Sequence, residues 1–368
     1  MPLAILYRPE LKEYDFGPGH PFRGDRYEVF PRFLRQNLPE DDNYQFLQAE
    51  PANETDLLLI CDKEYIEITK AFFHAIQIGD EYPTDFYRFQ SSDNLPVGTP
   101  GKVEEAARLI IGQAKEACDL VVRGEFPKVV SIGGGMHHAK RRFGEGFCVY
   151  NDVAFCGLYL TSVHKLDRVL ILDTDAHAGN GTTQYFTEDS HVLFIDIHQD
   201  PMTIYPGTGF ANQIGAGAGK GFTVNVPLPE NAGDRSYKIA FEDIVEPLVK
   251  EFQPQVIVRN GGSDPHFSDG LTSLGLTLNG FSMIGEKVRA MAEICQGKVV
   301  DLIASGYNRK ILPYAWYNQI TGLAGIDSKL SEPDPPPQPV ETDEVYTKAT
   351  RVIDQVRMNL KDYWCCFR

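Results

Sequence analysis

The chain lacks any cysteine pair at metal or redox spacing. Its seven cysteines stand at 61, 118, 148, 156, 295, 365 and 366, and none forms C-x-x-C. An odd, scattered set argues against a disulfide frame and a cysteine zinc site, and fits reduced thiols in the cytoplasm. No stretch approaches the roughly 20 apolar residues that span a bilayer. The opening M-P-L-A-I-L-Y-R-P-E has too short an apolar run for a signal peptide. Positive charge is scarce: 35 Lys and Arg stand against 51 Asp and Glu, a formal net charge of -16. That balance argues against nucleic acid and anionic membrane as partners and is compatible with a cationic or neutral ligand. No internal repeat is present. What remains is ordinary for a globular protein, with 42% hydrophobic and 23% charged residues. Its 368 residues give room for one large domain or two modest ones.

The most informative stretch is R-V-L-I-L-D-T-D-A-H-A-G-N-G, from Arg168 to Gly181. Its apolar start reads as a strand covered on both faces. Polar groups at alternate positions of a strand point to one side, and ligands of open α/β sheets sit beyond the carboxyl ends of the strands. Asp175 and His177 could therefore converge on one ion, with Asp173 one step deeper. Aspartates at strand ends also cap helices and turns, so this stretch needs support from elsewhere.

Leu3 to Tyr7 read as a first strand. A Gly/Pro loop follows, ending near Arg26, and then a helix from Tyr27 to Leu38 with Val29, Phe30 and Phe33 on its apolar side. Asp56 to Cys61 read as a second strand and Glu64 to Ile78 as a helix. Residues 79–100 read as a loop with Tyr82, Phe86, Tyr87 and Phe89 partly exposed. Lys102 to Val122 carry apolar residues at helical spacing. Apolar runs at 128–132, 168–172, 192–197, 222–226, 255–259 and 299–303 alternate with helical stretches, notably 237–252 and 282–295. That alternation predicts βαβ units and a parallel sheet. Residues 331–340 (S-E-P-D-P-P-P-Q-P-V) read as a stiff linker. A last helix, with Val345, Ala349, Val352, Val356 and Leu360 on one face, is expected to pack back on the domain.

Further chemistry follows several of these runs. S-I-G-G-G-M-H-H-A-K puts His137 and His138 after a flexible triple glycine. G-F-C-V-Y-N-D begins at Gly146, and its Phe147 is a pocket wall or a core residue. D-I-H-Q-D-P-M-T-I-Y-P-G-T-G carries Tyr205 and His198, the latter read first as a hydrogen-bonded core histidine. R-N-G-G-S-D places Asp264 after a strand, at a metal site or a turn. I-A-S-G-Y-N places Tyr307 near the last strand. Asp175, His177 and Asp264 make an O, N, O set with a position left open, the pattern of catalytic zinc. Such a set also admits Fe(II), Mn(II) or Co(II).

G-H-P at Gly19 to Pro21, G-G-G-M-H-H, G-F-C-x-x-N-D, D-x-D-x-H-x-G-N-G, P-G-T-G and G-Y-N appear in the order found in the histone deacetylase superfamily, which the chain resembles over residues 3–322. The opening Y-D-F-G-P-G-H-P-F-R is most similar to bacterial and archaeal members, among them acetoin-utilisation proteins and acetylpolyamine amidohydrolases. The resemblance implies a single α/β domain with a central eight-stranded parallel sheet flanked by helices, the arginase/deacetylase fold. It assigns residues 1–325 to the catalytic domain, 326–343 to a proline-rich linker and 344–368 to a C-terminal helix. It implies Asp175, His177 and Asp264 as ligands of Zn2+, with Fe2+ or Co2+ as alternatives. His137 and His138 resemble the tandem base and acid, and Tyr307 the oxyanion-stabilising tyrosine. Gly146, Phe147 and Tyr205 resemble the walls of an acyl-lysine tunnel, Asp93 the rim aspartate, and Arg26 the arginine near the product pocket. Asp173 resembles the carboxylate that supports His137 and helps hold a structural K+. The implied substrates are acylated lysine in a protein or peptide, or an acylated polyamine.

Three departures bear on chemistry. Asn180 stands where many class I members have aspartate; it can orient His138 without adding charge, which favours His138 as the base. A-S-G-Y replaces a glycine run before Tyr307. Tyr205 stands where phenylalanine is frequent. A catalytically silent acyl binder is the reading from a different class, and an arginase-like ureohydrolase would need more bridging carboxylates than the chain offers.

Overall fold

The computed structural model describes residues 3–40, 43–81, 84–327, 329–336 and 338–368. The amino-terminal half contains β1 (Leu3–Leu6), α1 (Arg26–Asn37), β2 (Tyr44–Leu47), α2 (Glu54–Leu57), α3 (Lys63–Ile78), α4 (Val103–Arg123), β3 (Lys128–Ile132) and α5 (Asp152–Leu158). Then come β4 (Val169–Asp173), α6 (Asn180–Phe186), β5 (Val192–Gln199), β6 (Thr223–Leu228), α7 (Asp234–Ala240) and α8 (Glu246–Phe252). The chain continues through β7 (Val256–Gly261), α9 (Leu278–Met291), β8 (Val299–Ile303), α10 (Leu312–Ala324) and α11 (Asp343–Leu360). A π-helical stretch from Phe241 to Val245 joins α7 to α8.

The strands form one eight-stranded sheet in the order β2-β1-β3-β8-β7-β4-β5-β6, and every neighbouring pair is parallel. All residues of β4, β5, β7 and β8 are buried. Strands covered on both faces can be apolar throughout, which is why their sequences are continuous runs and do not alternate. Two sets of contacting helices supply the cover: α4 with α3 and α5, and α10 with α1 and α9. Among the described residues no helix is long and apolar enough to cross a membrane.

Four early expectations change. Asp56 to Cys61 is the end of a short helix and a turn, not a strand. Asn53 and Asp56 form a reciprocal capping box, and the buried residues Leu57, Ile60 and Cys61 follow helical spacing while Leu58 is exposed. The second strand is instead Tyr44–Leu47, on the edge of the sheet. Val29 lies on the exposed side of α1, whose buried side is Tyr27, Phe30 and Leu34. In the 79–100 loop Phe86 and Phe89 are buried and Tyr87 alone of the described aromatics is exposed; Tyr82 lies outside the described residues.

At the other end, α11 buries Ala349, Ile353, Val356 and Leu360, and Val345 and Val352 are half-buried. Trp364 closes the packing beside Phe222, with ring centroids 5.2 Å apart. The proline-rich stretch is pinned at Glu332, which accepts the Leu278 N–H at 2.6 Å.

A buried ion pair ties the two middle strands together. Arg259 on β7 and Asp301 on β8 are opposite in register, with Nε–Oδ1 at 2.7 Å and Nη2–Oδ2 at 2.8 Å. Neither is exposed. Burial raises the Asp301 carboxyl and the guanidinium opposes that shift. Removing one partner would leave a buried, unmatched charge, so Asp301→Ala is expected to cost about 3–5 kcal/mol. Urea unfolding followed by circular dichroism checks this, and a loss below about 1 kcal/mol, the scale of an exposed pair, would refute it.

Candidate active site

The motifs converge because β3, β8, β7 and β4 are successive neighbours. Each ends at one side of a cavity of about 350 Å³. After β3 the backbone turns through Gly133 and Gly135, with φ of 95° and 130°. A Cβ at Gly135 would meet Asn260 Oδ1 at 2.6 Å, so only glycine fits. Asp152, at the start of α5, accepts the N–H groups of Gly135 and Met136 at 2.7–3.0 Å. Asn151 donates to the carbonyls of His137 and Ala139 at 3.2 and 3.0 Å. The N-D of G-F-C-x-x-N-D thus braces the histidine loop. It holds the two imidazoles side by side, their centroids 4.0 Å apart.

The two rings have different supports. His137 Nδ1 is 2.9 Å from Asp173 Oδ2, and Asn260 Nδ2 donates to both oxygens of Asp173 at 2.9 and 3.0 Å. Burial opposes protonation of His137, but Asp173 and Asp175 outweigh it and draw its pKa up to about 9. His138 Nδ1 donates to Asn180 Oδ1 at 2.8 Å. Burial, then the charges of His137 and His177, push His138 well below the usual histidine range. Asn180 cannot turn freely, because its Nδ2 donates to Glu145 Oε1 at 2.7 Å and Glu145 is paired with Lys140 at 2.6 Å. This chain of bonds fixes the proton on His138 Nδ1 and leaves Nε2 as the acceptor.

Past β4, His177 Nδ1 lies 3.1 Å from Asp175 Oδ1 and 3.0 Å from Asp264 Oδ2. One ligand atom from each of the three residues falls within 4.8 Å of the others. Asp175 is 2% exposed and Asp264 not at all. Burial and the neighbouring Asp175 push Asp264 up to about 7. His177 rises to about 10, since the bonds and charges of the two carboxylates overcome its burial. This O, N, O set carries more buried negative charge than one imidazole balances, and both Asp175 and His177 line the cavity. Its chemistry fits a divalent cation with one open side. Ser305 Oγ donates to Asp264 Oδ1 at 2.9 Å and also lines the cavity.

Phe147, Tyr205, Gly146, Asp93 and Tyr307 line the same cavity. Tyr205 stands edge-on to His138 at 5.1 Å, and Phe147 lies 5.9 Å from Tyr307. Gly146 lies against the ring of His138, where a Cβ would approach to 2.3 Å. Asp93 Oδ2 accepts the Gly146 N–H at 3.0 Å, so the 79–100 loop reaches the cavity. No described residue of 331–340 lines it. Arg26 is not in this lining. It donates to the Ala304 carbonyl at 2.7 Å and borders a separate cavity of about 50 Å³ that shares Tyr307. His198 is a core residue, bonded to Asp196 at 2.8 Å and the Gly209 carbonyl at 2.9 Å.

Sequence reasoning missed Asn260, Glu145, Lys140 and the contact of Ser305. Asn260 could have been marked by its place before two glycines at a strand end. No local spacing links Glu145 to Asn180.

The sequence profile of the histone deacetylase domain matches residues 20–323. A probable deacetylase of Archaeoglobus fulgidus is 34% identical over 376 aligned residues, covering 100% of both chains. The acetoin utilization protein AcuC of Staphylococcus aureus is 35% identical over 323 residues, 87% of this chain and 81% of that protein. The solved HDA15 HD domain superposes with a TM-score of 0.84 at 23% identity, covering 100% of this chain and 96% of that one, which identifies a shared fold.

Zinc titration of the metal-free protein is expected to saturate at one equivalent and to stabilise the fold by about 2.7 kcal/mol at a hundredfold excess over the dissociation constant. Ser305→Ala should weaken that affinity by about 10- to 100-fold, the usual cost of losing a partner behind a ligand. Calorimetry and melting curves check both; a Ser305→Ala affinity equal to the native one would refute the role of that hydroxyl.

Proposed function

The chain belongs to the histone deacetylase family, and from that premise we propose that it is a metal-dependent amide hydrolase removing acetyl or another acyl group from acylated lysine. The observation that carries the reading is the convergence of Asp175, His177 and Asp264 with the His137–His138 pair and Tyr307 on one cavity. Zinc is the ion proposed, and Fe(II) and Co(II) suit the same donors. Such a cation supplies polarisation of the amide carbonyl and lowers the pKa of a water.

The chain's own groups do the rest. His138, neutral with Nε2 free, takes the proton of the attacking water. His137, charged beside Asp173, gives a proton to the departing amine. Tyr307 donates its hydroxyl hydrogen to the developing oxyanion; burial, then the charge of Asp264, keeps its phenol protonated. Phe147 and Tyr205 flank the aliphatic stem and exclude water from it. Asp93 at the rim accepts from the substrate backbone. Arg26, beneath Tyr307, faces a space suited to the released carboxylate. A potassium ion is proposed beside Asp173, which stands opposite Asp196 in register, both side chains fully buried. Cytoplasmic placement is supported by cysteines that are all free. Acylated polyamine is the second substrate reading; the net charge of -16 suits a cationic substrate of either kind.

A panel of acetyl-lysine peptides, longer acyl-lysine peptides and acetylpolyamines, run with Zn(II), Fe(II) and Co(II), tests the reading. Acetyl-lysine peptide is expected to be hydrolysed, and His138→Ala to lose about 10²- to 10⁴-fold in kcat with metal stoichiometry unchanged. Bound metal with no turnover of any acyl-amide would leave an acyl-binding member in its place. A narrower outcome concerns Glu145. Glu145→Ala frees Asn180 to turn and should lower kcat by about 10- to 100-fold with little change in KM. Glu145→Gln keeps an acceptor oxygen and should retain most of the rate. Equal rates for native protein and Glu145→Ala would show that Asn180 is oriented by other means.

A further inference from the structure

A second cavity, of about 450 Å³, is lined in part by Asn180, the residue whose side chain bonds His138. Asn180 and Lys140, two members of the chain of bonds behind His138, both line this cavity. The floor comes from β6, the edge strand of the sheet. Thr223 and Asn225, two residues apart, share one of its faces and are 1% and 2% exposed. Neither Thr223 Oγ1 nor Asn225 Oδ1 has a hydrogen-bond partner, although Asn225 Nδ2 donates to the Gln213 carbonyl at 2.7 Å. Two adjacent unpaired oxygens beneath a polar cavity depart from the rule that buried polar groups are paired.

The walls narrow the class of ligand. They are built mainly of hydroxyls and amides, from Thr183, Gln184, Thr208 and Asn212 among others. Lys140 is the only charged lining residue among those described, and its ammonium is already matched by Glu145. An anion would find no free positive charge, and a cation no free carboxylate. Among the described residues no aromatic ring lines the cavity, which removes the stacking surface that a nucleobase would use. The unpaired oxygens call for a ligand rich in O–H groups, which can donate to Asn225 and exchange either way with Thr223. The volume falls in the range of small-molecule sites.

We propose that this cavity binds a small, neutral, polyhydroxylated molecule of about monosaccharide size. The proposal does not rest on the deacetylase reading, because binding is read without turnover or metal. Saturation-transfer NMR and calorimetry on the full chain, with D-glucose and D-ribose as neutral probes and inorganic phosphate and methylammonium as charged ones, test it. Saturable binding of a neutral probe is expected at millimolar concentration, with no response to the charged pair. Thr223→Val puts a methyl group where the unpaired hydroxyl stands and removes no bond of the folded chain. It should leave the melting temperature unchanged while weakening sugar binding about tenfold, the worth of one hydrogen bond. Absence of binding by both sugars, preferred binding of phosphate or methylammonium, or unchanged sugar affinity in Thr223→Val would each overturn the proposal.

Discussion

Buried negative charge at the carboxyl ends of neighbouring strands is the constraint on which this structure depends. Asp173, Asp175, Asp196 and Asp264 are each at most 2% exposed; Asp173 ends β4 and Asp175 follows it, Asp196 lies within β5 opposite Asp173 in register, and Asp264 follows β7, three strands that are adjacent. Carboxylates crowded in a low-dielectric interior stay ionised only with cations and hydrogen-bond donors around them. Asp173 is matched by His137 and Asn260, and Asp196 by His198 and the Gly179 N–H. Asp175 and Asp264 share the single ring nitrogen of His177. Their surplus is what a divalent cation satisfies, so the three residues make sense as a donor set and poorly as a closed network.

The same constraint separates the two histidines. His137 leans on a carboxylate and is drawn to the charged form. His138 leans on an amide, with two potential cations as neighbours, and is held neutral. The amide is itself oriented by a carboxylate one bond further away, Glu145, whose charge is balanced by Lys140. Orientation therefore reaches His138 while net charge does not. An aspartate at position 180 would deliver both together.

Much of this was legible in the sequence because doubly covered parallel strands are written as apolar runs, and the motifs follow those runs directly. The candidate donor set and the histidine pair, which the fold brings to one cavity, could be named from residue types and strand ends. Less legible were features set by contacts distant in sequence. Asp56 to Cys61 has the composition of a strand, but the capping box at Asn53 starts a short helix that ends in a turn over this segment. The edge strand Tyr44–Leu47 is short and only partly buried, so its sequence shows no long apolar run. Asp93 came only from a loose likeness, since its position depends on the Gly146 N–H. Glu145 acts across a gap in sequence that only the fold closes.

The sheet order explains why so many polar groups can be held in an otherwise apolar centre. Neighbours β7 and β8 carry the Arg259–Asp301 pair at the same register level, and Arg259 also reaches Gln319 on α10. Gln319 in turn donates to the Gly262 carbonyl at 2.7 Å, and Gly262 begins the turn that delivers Asp264. Beyond β8, Ser305 bonds Asp264 on one side, and its carbonyl accepts the Trp316 indole N–H at 3.1 Å on the other. Asp264 is thus anchored to α10 by two routes, one through β7 and one through the segment after β8. A ligand that must sit within a few tenths of an ångström of its partners is best supported by rigid elements. Ser305 places its hydroxyl on the second of those routes, directly against Asp264.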